Sequence, residues 1–467
     1  MLEIPINLRE DAREPLYQQL YRALSGQIVS RRLASGTRMP GKRTLASQLA
    51  VSVNTVDAAY QMLCAEGYLE SRARSGYFVQ ELPEIFPAAP REEHAPVPEP
   101  PRAWAYDCST GNVDTALFPL RTWGRIQREL LYNDPELLLH SERQGDLNLR
   151  EAILDYLRAY RGVRCGCEQM VVGAGVEYLL GLAAQLLAGS VAAVEEPGYG
   201  RSRTILENSG IRCRHVPLDA HGLRADALEE SGANLCYVTP SHHFPTAVTM
   251  PVGRRAQLLQ WSQQPQRYIL EDDYDAEFRF DMRPVPSLQG MAGPDGRVIY
   301  LCTFSKSLAP GIRIACMVLP RELVPEYQRM FGSYSNTVSR VEQQTLRSFM
   351  AGGHFTRHLS RMRLVYQRKM RMLCAALEEA FGEDSIALQG RHTGLHLMLT
   401  LHDGPGEQRM VEAARAAGVR LSGLSEYYHG ANPQCPENTV ILGYAALRED
   451  QLAPLAQTLK SVWTMRR

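Results

Sequence analysis

Seven prolines fall between Pro83 and Pro101, in the stretch ELPEIFPAAPREEHAPVPEPPRAWAY, with glutamates and alanines between them. This is the tightest restriction on how the chain can fold. Proline has no N–H to give to a helix or a sheet ladder, and a run so poor in apolar side chains cannot build a core. Residues 81–105 are therefore expected to form an extended, semi-stiff tether. At about 3.1 Å per residue such a segment reaches roughly 75 Å, enough to span a domain. The chain must then fold as two bodies, residues 1–80 and residues 106–467. The first need not sit on the second body of its own chain.

The 467 residues are 45% hydrophobic and 22% charged, the balance of a soluble globular protein. Formal net charge is zero, so any attraction to a polyanion must be local. Residues 1–80 carry a small surplus, ten Lys/Arg against seven Asp/Glu. The ten cysteines are scattered through apolar contexts, and the closest pair, Cys165 and Cys167, lacks a second pair or a histidine partner for zinc. Reduced thiols in a cytoplasmic protein are expected. The N-terminus lacks a basic-then-apolar signal pattern, and no apolar run approaches about 18 residues, so no membrane span is expected.

In the first body, Leu16, Leu20, Leu24 and Ile28 follow a helical period. A shorter helix, GKRTLASQLA, comes next, then a tight turn at Val51–Ser52 and a third helix with Val56, Ala59, Tyr60 and Leu63 on one face. Two short helices joined by a few residues, the second opening on small polar side chains, are the helix-turn-helix pattern. YLESRARSGYFV adds two strands with a basic, glycine-containing turn, a hairpin wing. Ser52, Asn54 and Thr55 offer short donors and acceptors at a helix start, Arg43, Arg72 and Arg74 can neutralise phosphates, and the turn at Gly76 can approach a minor groove. The pattern points to double-stranded DNA.

The second body alternates helical and strand-like runs (LNLREAILDYLRAY, MVVGAG, VEYLLGLAAQLLAG, VAAVEEP, NLCYVTP, RRAQLLQWSQQ, RYILEDDY, RVIYLCTFSK). That alternation implies a mostly parallel α/β sheet, whose ligands bind at the strands' C-terminal ends. Lys306, Asp272, Asp273, Tyr274, Tyr199 and Gly175 stand there. Together they suit pyridoxal 5'-phosphate. An aldehyde needs an amine, from Lys306. A pyridine nitrogen needs a carboxylate, from Asp272 or Asp273. A phenol near the ring oxygen fits Tyr274, and an aromatic to stack fits Tyr199. A phosphate needs donors, from Arg313, Ser305 or Thr303, and the N–H groups that open a helix at Gly175 and Val176. EDDYDAEF also reads as a solvated acidic loop or a magnesium set. The adjacent His242 and His243 would splay apart rather than converge on a metal, so no metal site is expected.

The stretch LASGTRMPGKRTLASQLAVSVNTVDAAYQMLCAEGYLESRARSGYFV resembles the winged helix-turn-helix domain of GntR-type regulators. It departs at Gly41 and Lys42, where serines are common, and at Val53, where the family usually carries a DNA-contacting arginine. RQGDLNLREAILDYL, VGAGVEYLL, EEPGYGRSR, TPSHHFPTAVTMP, EDDYDAEFRF and TFSKSLAPGIRIACMVLP resemble fold-type-I aminotransferases in that order. The resemblance implies that Lys306 is the Schiff-base lysine, Asp272 the pyridinium partner, Tyr274 the partner of the ring hydroxyl, Arg313 the phosphate arginine and Tyr199 the stacking ring. It makes Arg201 a candidate for an effector's carboxylate, helped by Arg420. Phe244 and Ala247 replace the outer members of an Asn-Pro-Thr-Gly run, and Ile441 stands where aminotransferases commonly carry a substrate-binding arginine.

A winged helix tethered to such a domain is the architecture of MocR/GabR-type transcriptional regulators, which the chain resembles over nearly its whole length. The resemblance implies a homodimer whose N-terminal units the tether would allow to be exchanged. It also implies a regulator rather than an enzyme, with operator binding switched by pyridoxal phosphate or its adduct with an amine or amino-acid effector. The competing reading is a working aminotransferase with an accessory DNA-binding module.

Overall fold

In the computed structural model the chain forms two bodies, Met1–Pro101 and Arg102–Arg467. Residues 6, 8, 14–82, 103–281, 285–429 and 435–464 are described. Most of the expected tether, residues 83–102, lies outside the described residues.

The small body follows its sequence period. Helix α1 (Leu16–Val29) buries Leu20, Leu24 and Ile28, helix α2 (Lys42–Leu49) buries Leu45 and Ala46, and helix α3 (Val53–Ala65) buries Val56, Ala59, Tyr60 and Leu63. These side chains form one core. The turn between α2 and α3 is fixed by Ala50 in the left-handed region (φ 55°) and by Ser52, whose Oγ accepts from the Thr55 N–H at 3.0 Å. An N-cap of this kind contributes about 1 kcal/mol. The Tyr60 hydroxyl donates to the Pro40 carbonyl (2.9 Å), tying α3 to the entry of α2. Strands β1 (Leu69–Arg72) and β2 (Gly76–Val79) pair antiparallel from Leu69–Val79 to Arg72–Gly76. Positive φ at Arg74 (59°) and Gly76 (105°) closes the wing's turn.

The large body is built on an eight-stranded sheet. Its spatial order is Met170–Gly173, Ala315–Val318, Val298–Thr303, Tyr268–Asp273, Leu235–Val238, Val191–Glu196, Arg212–Asp219, Gly222–Leu223. The five strands from 298–303 to 212–219 are mutually parallel, and all six residues of 298–303 are buried, as a strand covered on both faces requires. Ala315–Val318 runs antiparallel to both neighbours. The physical reason lies in the return from Thr303 to Ala315. Residues 304–314 contain only a 3-10 turn, Pro310–Ile312, too little chain for the helical crossover that a parallel neighbour needs. This short return carries both Lys306 and Arg313.

A second, antiparallel sheet has the order Ile386–Gln389, His396–Leu401, Thr439–Gly443, Ser422–Gly423. It shares a core with the helices His354–Phe381 and Glu449–Trp463. Ile441 is buried on its third strand, paired with Met398 and Ser422.

All four tryptophans, Trp104, Trp123, Trp261 and Trp463, belong to the large body. Leu24→Ala, at a fully buried site, should destabilise the small body by about 2–5 kcal/mol. In urea titrations the loss should appear as an earlier far-UV circular dichroism transition, with the tryptophan fluorescence transition unmoved.

Candidate functional site

The parallel strands end at one edge of the large sheet, and a cleft of about 200 Å³ opens there. Lys306, Asp272, Tyr274, Tyr199, Thr303, Ser305, Val176, Arg201 and Arg313 all line it. Gly175 lies behind them, with a φ of 93° and the Arg313 guanidinium against its α-carbon. A β-carbon on Gly175 would fall 2.4 Å from Arg313 Nη2.

Lys306 follows the 298–303 strand by three residues. Its Nζ donates to the backbone carbonyls of Gly111 (3.0 Å) and Thr110. Burial pushes its ammonium down from 10.5 to about 8, and nearby Asp275 opposes that shift. The amine is therefore held ready to lose its proton near neutral pH.

The pleat separates the two aspartates that the sequence leaves as alternatives, because successive strand residues face opposite sides. Asp272 lines the cleft, and its Oδ2 accepts from the Tyr237 hydroxyl (2.5 Å). Its Oδ1 is buried with no partner among the described residues. Burial raises this carboxyl to about 7 against the pull of the Tyr237 hydroxyl. Asp273 faces the other way and accepts from Arg161 Nε (2.6 Å) and the Tyr300 hydroxyl (2.7 Å). Burial pushes it up, but Arg161 and Tyr300 outweigh that and hold it below the usual carboxylate range.

The Tyr274 hydroxyl lies 3.0 Å from His242 Nδ1, which is also 2.8 Å from Asp275 Oδ2. Donating Nδ1–H to Asp275 leaves the Tyr274 proton free to point into the cleft. Phe244 meets Tyr199 edge-on at 5.7 Å. Thr303 and Ser305 bond each other through their hydroxyls at 2.9 Å. Arg313 Nη2 donates to the Ala174 carbonyl (3.1 Å) and to Glu177 Oε2 (2.8 Å), and Arg201 Nη1 lies 3.4 Å from the same carboxylate. Arg313 in particular holds the Glu177 carboxyl below its usual value.

Arg420 is not among the cleft residues. It sits on the short strand Val419–Arg420, paired in register with Asp107, and its Nη1 is 3.7 Å from the Asp107 carboxylate. Sequence reading also passes over Tyr237, Glu177 and Glu195. Glu195 Oε2 accepts from the Thr239 N–H and hydroxyl, and burial raises its carboxyl to about 8. One signal was available: VAAVEE and LCYV are buried runs that each carry a polar group inward.

On the small body, Ser52 and Asn54 are exposed beside Thr55 at the start of α3, and Arg43 is exposed on α2. Arg74 and Gly76 form the wing's turn, with Arg38 against Gly76. Arg72 is tied to Glu70 (2.9 Å) and lies over Phe78. Lys42 is bonded to Asp57. Among the described residues no cluster of three His, Cys, Asp or Glu side chains could hold a metal ion, and no helix is long and apolar enough to cross a membrane.

Fold and cleft together define a class: a winged helix-turn-helix unit joined to an aminotransferase-type unit. Residues 16–79 match the gntR family of bacterial regulatory proteins, and residues 109–459 match aminotransferase class I and II. The chain is 37% identical to the HTH-type transcriptional regulator YhdI of Bacillus subtilis, over 99% of this chain and 98% of that one. It is 32% identical to the probable rhizopine catabolism regulatory protein MocR of Rhizobium meliloti (98% and 95%). It is 30% identical to the pyridoxine biosynthesis transcriptional regulator PdxR of Corynebacterium glutamicum (97% and 97%). Among solved structures, the α-aminoadipate aminotransferase LysN of Thermus thermophilus aligns at a TM-score of 0.66 with 26% identity, over 76% of this chain and 91% of that one. The chain belongs to the GntR-family, MocR-type transcriptional regulators that carry an aminotransferase class I and II domain.

The chain has four lysines, Lys42, Lys306, Lys369 and Lys460. Reductive methylation across a pH series, read by peptide mapping, should give Lys306 a labelling midpoint near pH 8, with labelling rising as the pH rises. A midpoint at the ordinary lysine value would contradict its dehydrated setting.

Proposed function

We propose that the chain is a pyridoxal 5'-phosphate-dependent transcriptional regulator in which occupancy of the Lys306 cleft by the cofactor and an amine or amino-acid effector switches operator binding. One observation carries this reading: Lys306, Asp272, Tyr274 and Arg313 converge on a single cleft at the strand ends. The residues fit the cofactor. Asp272 keeps a buried oxygen without a partner among the described residues, and glycine at 175 leaves the Arg313 guanidinium beside a helix N-terminus, where a phosphate is favoured.

Pyridoxal phosphate, when bound, supplies an aldehyde that condenses with amines and a pyridinium that withdraws electrons. The protein's own groups have distinct parts. Lys306, already inclined to release its proton, would hold the aldehyde. Asp272 would keep a proton on the pyridine nitrogen, its own carboxyl ionising opposite that charge. Tyr274, beside His242 and Asp275, would direct its hydroxyl to the ring oxygen, and Tyr199 would cover the ring. Arg313, with the N–H groups of Gly175 and Val176 and the Ser305 and Thr303 hydroxyls, would hold the phosphate in place of Glu177. Arg201 takes an effector's carboxylate.

Sustained transamination is the weaker reading. Ile441 is buried inside a strand, and Arg420 is held beside Asp107 rather than in the cleft. Exposed Leu120, Tyr132, Leu138 and Leu139 on the large body provide apolar surface that a second copy would cover in a homodimer. A regulator of this kind would work in the cytoplasm.

Fluorescence anisotropy of the full chain on duplex from its own promoter region tests the proposal. Adding pyridoxal phosphate, then a panel of amines and amino acids, should change affinity by about 5- to 150-fold, the usual range of coupling between sites. Lys306→Ala should bind the duplex but lose the response. Equal affinity under every condition, or many turnovers of amino acid with keto acid, would overturn it. Gly175→Val should lower cofactor affinity at least tenfold in a visible-absorbance titration, because its side chain would displace Arg313.

A further inference from the structure

Helix α3 contains no lysine or arginine, and its single charged side chain is Asp57. Lys42, on α2, is already committed, bonded to Asp57 and 5.3 Å from the centre of the Tyr77 ring. The hydroxyls of Ser52 and Thr55 are also engaged, 2.8 Å apart, with Ser52 capping the helix. What the first turn of α3 leaves outward is Val53, 43% exposed, and Asn54, exposed and without a hydrogen-bond partner among the described residues.

In a helix-turn-helix, the N-terminal residues of the second helix meet base edges in the major groove. Guanine offers two acceptors there, N7 and O6, which arginine or lysine reads. Adenine offers an acceptor and a donor, N7 and N6, which a carboxamide reads, and thymine offers a methyl group to an apolar side chain. The first turn of α3 carries a carboxamide and an isopropyl group, and no free cation. We propose that α3 reads an A·T pair, with Asn54 bonded to adenine N7 and N6 and Val53 packed on a thymine methyl. Exposed Arg43 and Arg74 contact phosphates and contribute affinity without sequence preference. The inference rests on the operator-binding reading above and specifies the operator's chemistry.

The full chain is used to select duplexes from a randomised pool, and affinities are measured by anisotropy on the recovered duplex and its single-pair variants. Each half-site should contain an A·T step at which change to G·C weakens binding by about 5- to 150-fold. Asn54→Ala should cut that difference to what Val53 alone supplies, by weakening the A·T duplex toward its G·C variant. Val53→Arg should shift the preferred pair toward guanine. Arg43→Ala should weaken all duplexes alike and lower the salt slope by about 1. Selected sites whose only costly changes are at G·C pairs, or an Asn54→Ala protein with undiminished discrimination, would overturn the inference and leave DNA regulation standing. Binding to no duplex above background would overturn both.

Discussion

A single amine set in a dehydrated cleft, with no carboxylate bonded to it among the described residues, governs the large body. Among the described residues Lys306 Nζ donates only to two backbone carbonyls, from Thr110 and Gly111, and burial lowers its proton affinity. The surrounding chain is arranged to hold those carbonyls still. On one side of the loop, the Cys108 N–H donates to the Arg420 carbonyl and the Cys108 carbonyl accepts from Gly443, each at 2.8 Å. On the other side, Asp114 accepts from the buried Lys369 Nζ at 2.7 Å. The mouth of the cleft is thereby stapled to the second sheet and its helices. An amine so placed is costly to keep unless something binds it, which is why Lys306 is the natural centre of any account of this protein.

The two ends of the cleft differ in charge, with the Arg313 guanidinium at one and the Asp272 carboxyl at the other. Arg313 is paired with Glu177, so on the proposed reading a phosphate would compete with a carboxylate for it. At the other end one Asp272 oxygen has no partner among the described residues, and burial holds its carboxyl high. On the proposed reading a ligand would relax both ends, and a conformational equilibrium can be biased only by such differences in binding.

Local patterns carried much of this into the sequence. Lys306, Asp272 and Tyr274 were legible because they stand at or just past the ends of apolar strand runs, Arg313 because it stands just before the next one, and Ser52 because a small hydroxyl precedes an apolar-periodic helix. What was not legible depended on distant pairing. Asp272 and Asp273 look equivalent until the pleat turns one toward Arg161. Arg420 looked available until Val419–Arg420 paired with Tyr106–Asp107. Lys42, where the family commonly has serine, is bonded to Asp57 on the next helix, a pairing that sequence spacing does not express. The antiparallel course of Ala315–Val318 follows from the length of residues 304–314, a constraint that strand periodicity does not express.

The most direct test of the central claim is chemical. The full chain is incubated with pyridoxal phosphate, reduced with borohydride, digested, and mapped by mass spectrometry. The account predicts the added phosphopyridoxyl mass on the peptide containing Lys306, lost in Lys306→Ala without transfer to Lys42, Lys369 or Lys460. A modification spread over the four lysines, or none at Lys306, would contradict it.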